Sequence, residues 1–161
     1  MDYIFSPWRY RYLAAPQAAA AGCVLCSKLQ SGDDPASLVV FRGRENAVML
    51  NLYPYTTGHV MIVPFAHAPW LEALPATARS EMFELAARSE AILREVYKAQ
   101  GLNVGLNLGT AAGAGIADHL HMHVVPRWTG DANFMTVVGE TRILPEALED
   151  TFHRLRTAFS A

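Results

Sequence analysis

HLHMHVVPR, residues 119–127, sets imidazoles and apolar side chains in strict alternation. A strand places residues i, i+2 and i+4 on one face. His119, His121 and His123 should therefore stand in a row about 6.5 to 7 Å apart, with Leu120, Met122 and Val124 turned into a core. One phosphate can touch two imidazoles at that spacing. A metal ion is the competing occupant, because imidazole is a common zinc ligand. The chain holds six histidines, too few for three to fall at alternate positions by accident.

Upstream, residues 103–108 (NVGLNL) read as a further strand. GTAAGAG, residues 109–115, reads as a glycine-rich loop whose small residues let backbone N–H groups approach an anion. Residues 38–42, 47–52 and 59–65 are short runs of Val, Ile, Leu and aromatic residues separated by GREN and PYTTG, which predicts three consecutive antiparallel strands. Met82, Leu85, Ala86, Ile92, Leu93 and Val96 recur at helical spacing between charged residues and predict one long helix over 77–100, ended near Gly101. Residues 145–159 start with Pro and acidic residues and carry Leu148, Phe152, Leu155 and Phe159 on one stripe, a C-terminal helix. SGDDPAS, residues 31–37, reads as a loop, with regular structure beginning only after it. The aromatic segment 1–16 is expected to wrap over the domain. The expected fold is α+β, a five-stranded, mostly antiparallel sheet with one long and one C-terminal helix in a single domain.

At 161 residues and 52% apolar content the chain can bury a core. Its charge of -2, without a run of Lys or Arg, excludes a track for polymeric nucleic acid. A small phosphorylated ligand needs no such charge. No stretch reaches the eighteen or so apolar residues of a membrane span. LAAPQAAAAGC, residues 13–23, lacks the apolar region of a lipoprotein signal, so a cytoplasmic location and no membrane partner are expected.

HLHMHVVPR resembles the H-φ-H-φ-H-φ-φ signature of the histidine triad superfamily, where φ is apolar. NLYPYTTGHVMIVPFAH, residues 51–67, resembles the upstream region of that family, so the likeness spans about 38–130. Residues 103–134 are similar to the bacterial diadenosine tetraphosphate phosphorylases of the superfamily. The resemblance implies cleavage of a dinucleoside polyphosphate at the α-phosphate through a nucleotidyl-histidine intermediate. His121 is then the nucleophile, His123 bonds a phosphoryl or leaving-group oxygen, and His59 completes the cluster. Asn51 takes the position that contacts the ribose, with Leu50 and Leu52 walling the base. Gly109, Thr110, Gly113 and Gly115, with Asn107, become the phosphate cradle. Gly115 stands where many members have Gln, which favours inorganic phosphate over water as acceptor. A nucleoside phosphoramidate hydrolase and a catalytically idle nucleotide-binding module are the alternatives. The resemblance also implies a homodimer joined along the fourth strand and the long helix. Trp128, just beyond the triad strand, is a candidate lid or interface residue.

Cys23 and Cys26 are the chain's only cysteines. A disulfide suits a reducing compartment poorly, and a redox pair needs a strand before it and a helix after it. Half a zinc site and unmetallated thiols remain open. A closed tetrahedral site needs two more ligands, for which His67 and His119 are the candidates. Galactose-1-phosphate uridylyltransferases, distant relatives with a similar triad, use two Cys, an upstream His and the first triad His in this way. A structural zinc and no organic cofactor are thus expected.

Overall fold

Val, Ile and Met runs form the middle of the sheet, as the strand-like patterns predict. In the computed structural model, which describes residues 22–132 and 145–161, β1 (Val39–Arg42), β2 (Asn46–Leu50), β3 (Val60–Pro64), β4 (Gly101–Leu106) and β5 (Met122–Arg127) make one sheet. Its order is β1-β2-β3-β5-β4 and every pairing is antiparallel. The wrap expected over 1–16 lies outside the described residues.

Helices cover both faces, which is why β2 and β3 are buried at every position and read as continuous apolar runs. Val48, Leu50, Val60, Ile62, Met122 and Val124 meet Met82, Leu85, Ala86 and Leu93 of the long helix α3 (Ala76–Tyr97), joined by Phe152, Leu155 and Phe159 of α4 (Leu148–Ser160). On the opposite face Val39, Ala47, Met49, Met61 and Val63 meet Leu25 and Leu29 of α1 (Val24–Gln30). The register Met49↔Met61↔His123 puts His123 on this second face.

Several expected boundaries move. Regular structure starts before residue 38, because α1 begins directly after Cys23 and a single turn, α2 (Asp34–Ser37), lies within SGDDPAS. Leu25 and Leu29, one turn apart, bury against the sheet at roughly 1.5–3 kcal/mol each. Seven residues could not hold a helix otherwise. In α2 the Asp33 carboxylate accepts from the Ala36 amide at 3.0 Å, an N-cap. Helix α3 ends at Tyr97 because Lys98 turns left-handed (φ 52°), and Gly101 opens β4 instead of capping the helix. Strand β5 begins at Met122, because the Leu120 amide bonds the Ala68 carbonyl beyond β3 (2.8 Å) in place of a ladder partner. His119 and His121 thus lie ahead of the paired strand. The C-terminal helix starts at Leu148 and not at residue 145.

Candidate active site and metal-ligand cluster

The sequence TTGH, residues 56–59, turns the chain at Gly58 (φ 80°) and seats His59 at the start of β3, beside β5. His59 is buried at 1% exposure. The Tyr55 amide donates to His59 Nδ1 at 3.1 Å. That nitrogen is therefore an acceptor, and the ring's proton sits on Nε2, 3.0 Å from His123 Nδ1. His123 must then accept on Nδ1 and carry its own N–H on Nε2. One backbone amide thus orients two imidazoles in series. Burial, and next the neighbouring His121, push the His123 pKa down to about 4, so the ring is neutral near pH 7.

His121 is oriented separately. Its Nδ1–H donates to the His119 carbonyl at 2.9 Å, which leaves the Nε2 lone pair as the ring's nucleophilic atom. Burial holds its pKa below the usual histidine value. The His121 and His123 ring centroids are 4.9 Å apart, edge to face. Neighbouring rings thus offer a lone pair on one and an N–H on the other, the two functions that phosphoryl attack can use.

His119, fully buried, faces away from that pair. Its Nε2–H donates to the Pro64 carbonyl at 2.8 Å, and its Nδ1 lies 3.3 Å from the Cys23 sulfur and 3.4 Å from that of Cys26. His67 Nδ1 lies 3.4 Å from the Cys26 sulfur. The four ligand atoms of Cys23, Cys26, His67 and His119 all fall within 4.8 Å of one another. In a tetrahedral zinc site with ordinary Zn–S and Zn–N bonds, sulfur and nitrogen sit about 3.6 Å apart. The spacing and the donor set fit zinc. His119 Nδ1, its other nitrogen occupied, presents a lone pair to the thiols. Burial first, then Cys23, raises the Cys26 pKa in the protein alone.

In the glycine-rich loop, Gly109 (φ 79°) and Gly113 (φ 86°) flank a turn at Thr110–Ala112. The amides of Ala112, Gly113 and Ala114 bond carbonyls within this loop, so those three are committed to its shape. A side chain at Gly109 would meet the ring of the half-exposed Trp70 at 3.2 Å, which explains glycine there. Asn51 Oδ1 accepts from the Tyr53 amide at 3.0 Å, a loop-closing turn, and its Nδ2 is 3.5 Å from His59 Nδ1. Leu50, buried under α3, and Leu52, 49% exposed, both line one small cavity that His59 and Pro54 also line.

Sequence reasoning missed Tyr55, whose amide orients His59 and whose ring lies 4.8 Å from His59 and 6.1 Å from His123. The signal was an aromatic residue inside PYTTG, which reads only as a turn. It also missed Trp70 and the Pro64 carbonyl, which no residue-type pattern announces.

A model of the HIT domain family matches residues 34–130. A Mycobacterium tuberculosis protein described as AP-4-A phosphorylase is 39% identical over 99% of this chain and 85% of its own length. An asymmetrical bis(5'-nucleosyl)-tetraphosphatase of Schizosaccharomyces pombe is 30% identical over 59% of this chain, which spans 52% of that protein. Among solved structures, a Zn-bound histidine triad family protein from Mycobacterium smegmatis superposes with a TM-score of 0.70 at 31% identity, covering 86% of this chain and 94% of that one.

Proposed function

The chain belongs to the HIT family, and we propose that it is an enzyme cleaving diadenosine tetraphosphate or a similar dinucleoside polyphosphate at an α-phosphate, with His121 as nucleophile. The observation that carries this reading is the set of hydrogen bonds on the three Nδ1 atoms, His121 to the His119 carbonyl, His123 to His59 Nε2 and His59 to the Tyr55 amide, from which an Nε2 lone pair on His121 and an Nε2–H on His123 follow.

His121 Nε2 attacks the α-phosphorus, forming a P–N bond while the P–O bond to the departing nucleotide breaks and its electron pair leaves with that oxygen. His123 Nε2–H hydrogen-bonds the phosphoryl or departing oxygen as its charge grows. The nucleotidyl-imidazole becomes cationic, and the His119 carbonyl on its Nδ1–H stabilises that charge. An acceptor oxygen then displaces the imidazole and regenerates the ring, so one hard substitution becomes two easier ones. Asn51 is the candidate ribose contact. Asn107, Gly109, Thr110 and Gly115 are the candidate phosphate contacts, with Gly113, its amide bonded to the Thr110 carbonyl, shaping the loop that would present them.

Inorganic phosphate is the favoured acceptor, supported by Gly115 and by the full-length likeness to a phosphorylase. Incubation with diadenosine tetraphosphate tests this. ATP plus ADP formed only when phosphate is present supports phosphorolysis; AMP plus ATP without phosphate means water is the acceptor.

Zinc at Cys23, Cys26, His67 and His119 would supply a rigid cross-link between the N-terminal segment and the triad strand, with no part in the bond changes. The protein acts as a homodimer in this reading. Strand β4 is a sheet edge with Val104 49% exposed, and Phe83 of α3 is 62% exposed. Strand β1, the other edge, is covered by α4, where Arg156 donates to the Val39 carbonyl at 2.9 Å. Light scattering at micromolar concentration should give twice the 17.7 kDa of one chain; 17.7 kDa contradicts the dimer.

A further inference from the structure

A cavity of about 680 Å³ has Tyr55 in its lining. Small-molecule sites occupy roughly 300–1,000 Å³. Neither His121 nor Asn51 nor any residue of the 109–115 loop lines it. Tyr55 is its shared wall with the histidine cluster, stacked 6.1 Å from the His123 ring.

Its lining suits a nucleotide. Tyr55, Tyr97 and Trp128 give aromatic surface on which a base can stack. The Trp128 indole is fixed by donating to the Tyr97 carbonyl at 3.1 Å. Lys98, Arg127 and Arg154 bring positive charge against Asp131 and Glu146, one cation in excess among the described residues. Arg127 is held by Asp131 at 2.6 Å and Arg154 by Glu146 at 2.9 Å. Lys98 has no ion pair or hydrogen bond among the described residues. Its left-handed backbone at the end of α3 projects the exposed residue at the cavity rim. An ammonium with no partner among the described residues, set beside aromatic walls, suits a polyphosphate attached to a base.

We propose that this cavity is the subsite of the departing nucleotide, taking the distal nucleoside and terminal phosphates of a dinucleoside polyphosphate, with Lys98 on the phosphates and Trp128 and Tyr97 at the base. The assignment rests on the dinucleoside reading of His121. It gives the enzyme a means of distinguishing dinucleoside substrates from nucleotides carrying a small leaving group.

Two substrates that transfer the same adenylyl group test it, diadenosine tetraphosphate and adenosine 5'-phosphofluoridate, whose leaving group is fluoride. In Lys98→Gln and in Trp128→Leu the ratio of kcat/KM for the first to that for the second should fall about tenfold. A ratio within about twofold of the unaltered protein in both variants overturns the subsite. Thermal melting of Trp128→Leu checks its fold, and the exposed Lys98 gives the second arm. Calorimetric titration of ATP and AMP into His121→Ala, which cannot turn over, separates the two readings. Tighter binding of ATP that weakens about tenfold when Lys98→Gln is added supports the subsite even if neither substrate is cleaved. ATP bound no better than AMP, with no dependence on Lys98, overturns it.

Discussion

Two clusters of histidines share one stretch of chain and are prepared for opposite tasks. His119 and His67 turn toward two thiols, with the Pro64 carbonyl fixing His119 so that its lone pair faces sulfur. His59, His121 and His123 turn toward one another, and the Tyr55 amide and His119 carbonyl fix their protons. In the proposed reading the partner of the second nitrogen is what suits one histidine to ligate, another to attack and a third to donate. His119 belongs to both clusters, through its ring on one side and its carbonyl on the other. The metal-ligand cluster is expected to hold the scaffold and the histidine cluster to perform the chemistry, so the two should respond differently to substitution.

The largest effect is expected from His121→Ala, which should cut turnover by about a thousandfold or more, because no other imidazole reaches the same line of attack. Retention of more than about a tenth of the activity in steady-state assays would show that the nucleophile is elsewhere. His123→Ala should slow turnover about a hundredfold and leave it measurable, since it removes a hydrogen-bond donor and not the covalent step. Equal losses in both variants would erase the distinction between their roles.

Across the divide, Cys26→Ser should lower zinc content, measured on protein purified without added metal, from one per chain toward none. It should also lower the melting temperature by several degrees while most activity survives. Metal-free wild-type protein of undiminished stability would remove zinc from the account. Complete loss of activity in a folded Cys26→Ser protein would merge the two clusters into one.

The smallest effect concerns acid stability. His123, facing His59, His121 and Tyr55, has its pKa lowered to about 4 in the folded protein against an ordinary value near 6.5. The unfolded chain binds this proton first as pH falls. Folding free energy is therefore lost between about 6.5 and about 4 and is fully present above that window. Denaturant midpoints across this range should fall less steeply for His123→Gln than for the unaltered protein. Parallel profiles would mean that His123 does not resist protonation.

The alternation of HLHMHVVPR carried the face assignment correctly, since Leu120, Met122 and Val124 do enter the core. Cys-x-x-Cys together with two histidines was equally legible as a ligand set. The helix α1 was not, because Leu25 and Leu29 give only two apolar contacts in seven residues and become helical by docking on the sheet. Nor was the early end of α3, where Lys98 adopts a backbone conformation usually left to glycine or asparagine. The tautomers were beyond reach for a further reason. They depend on carbonyls of Pro64 and His119 and the amide of Tyr55, and backbone groups are the same in every residue type.

The most direct test of His121 as the attacking atom is capture of the intermediate. Protein mixed with diadenosine tetraphosphate without inorganic phosphate, quenched rapidly at alkaline pH and weighed by intact-mass spectrometry, should carry one added adenylyl group. Fragmentation should map that group to His121, and the adduct should be absent from His121→Ala. Turnover without any adduct, or an adduct mapped to another residue, would contradict the account.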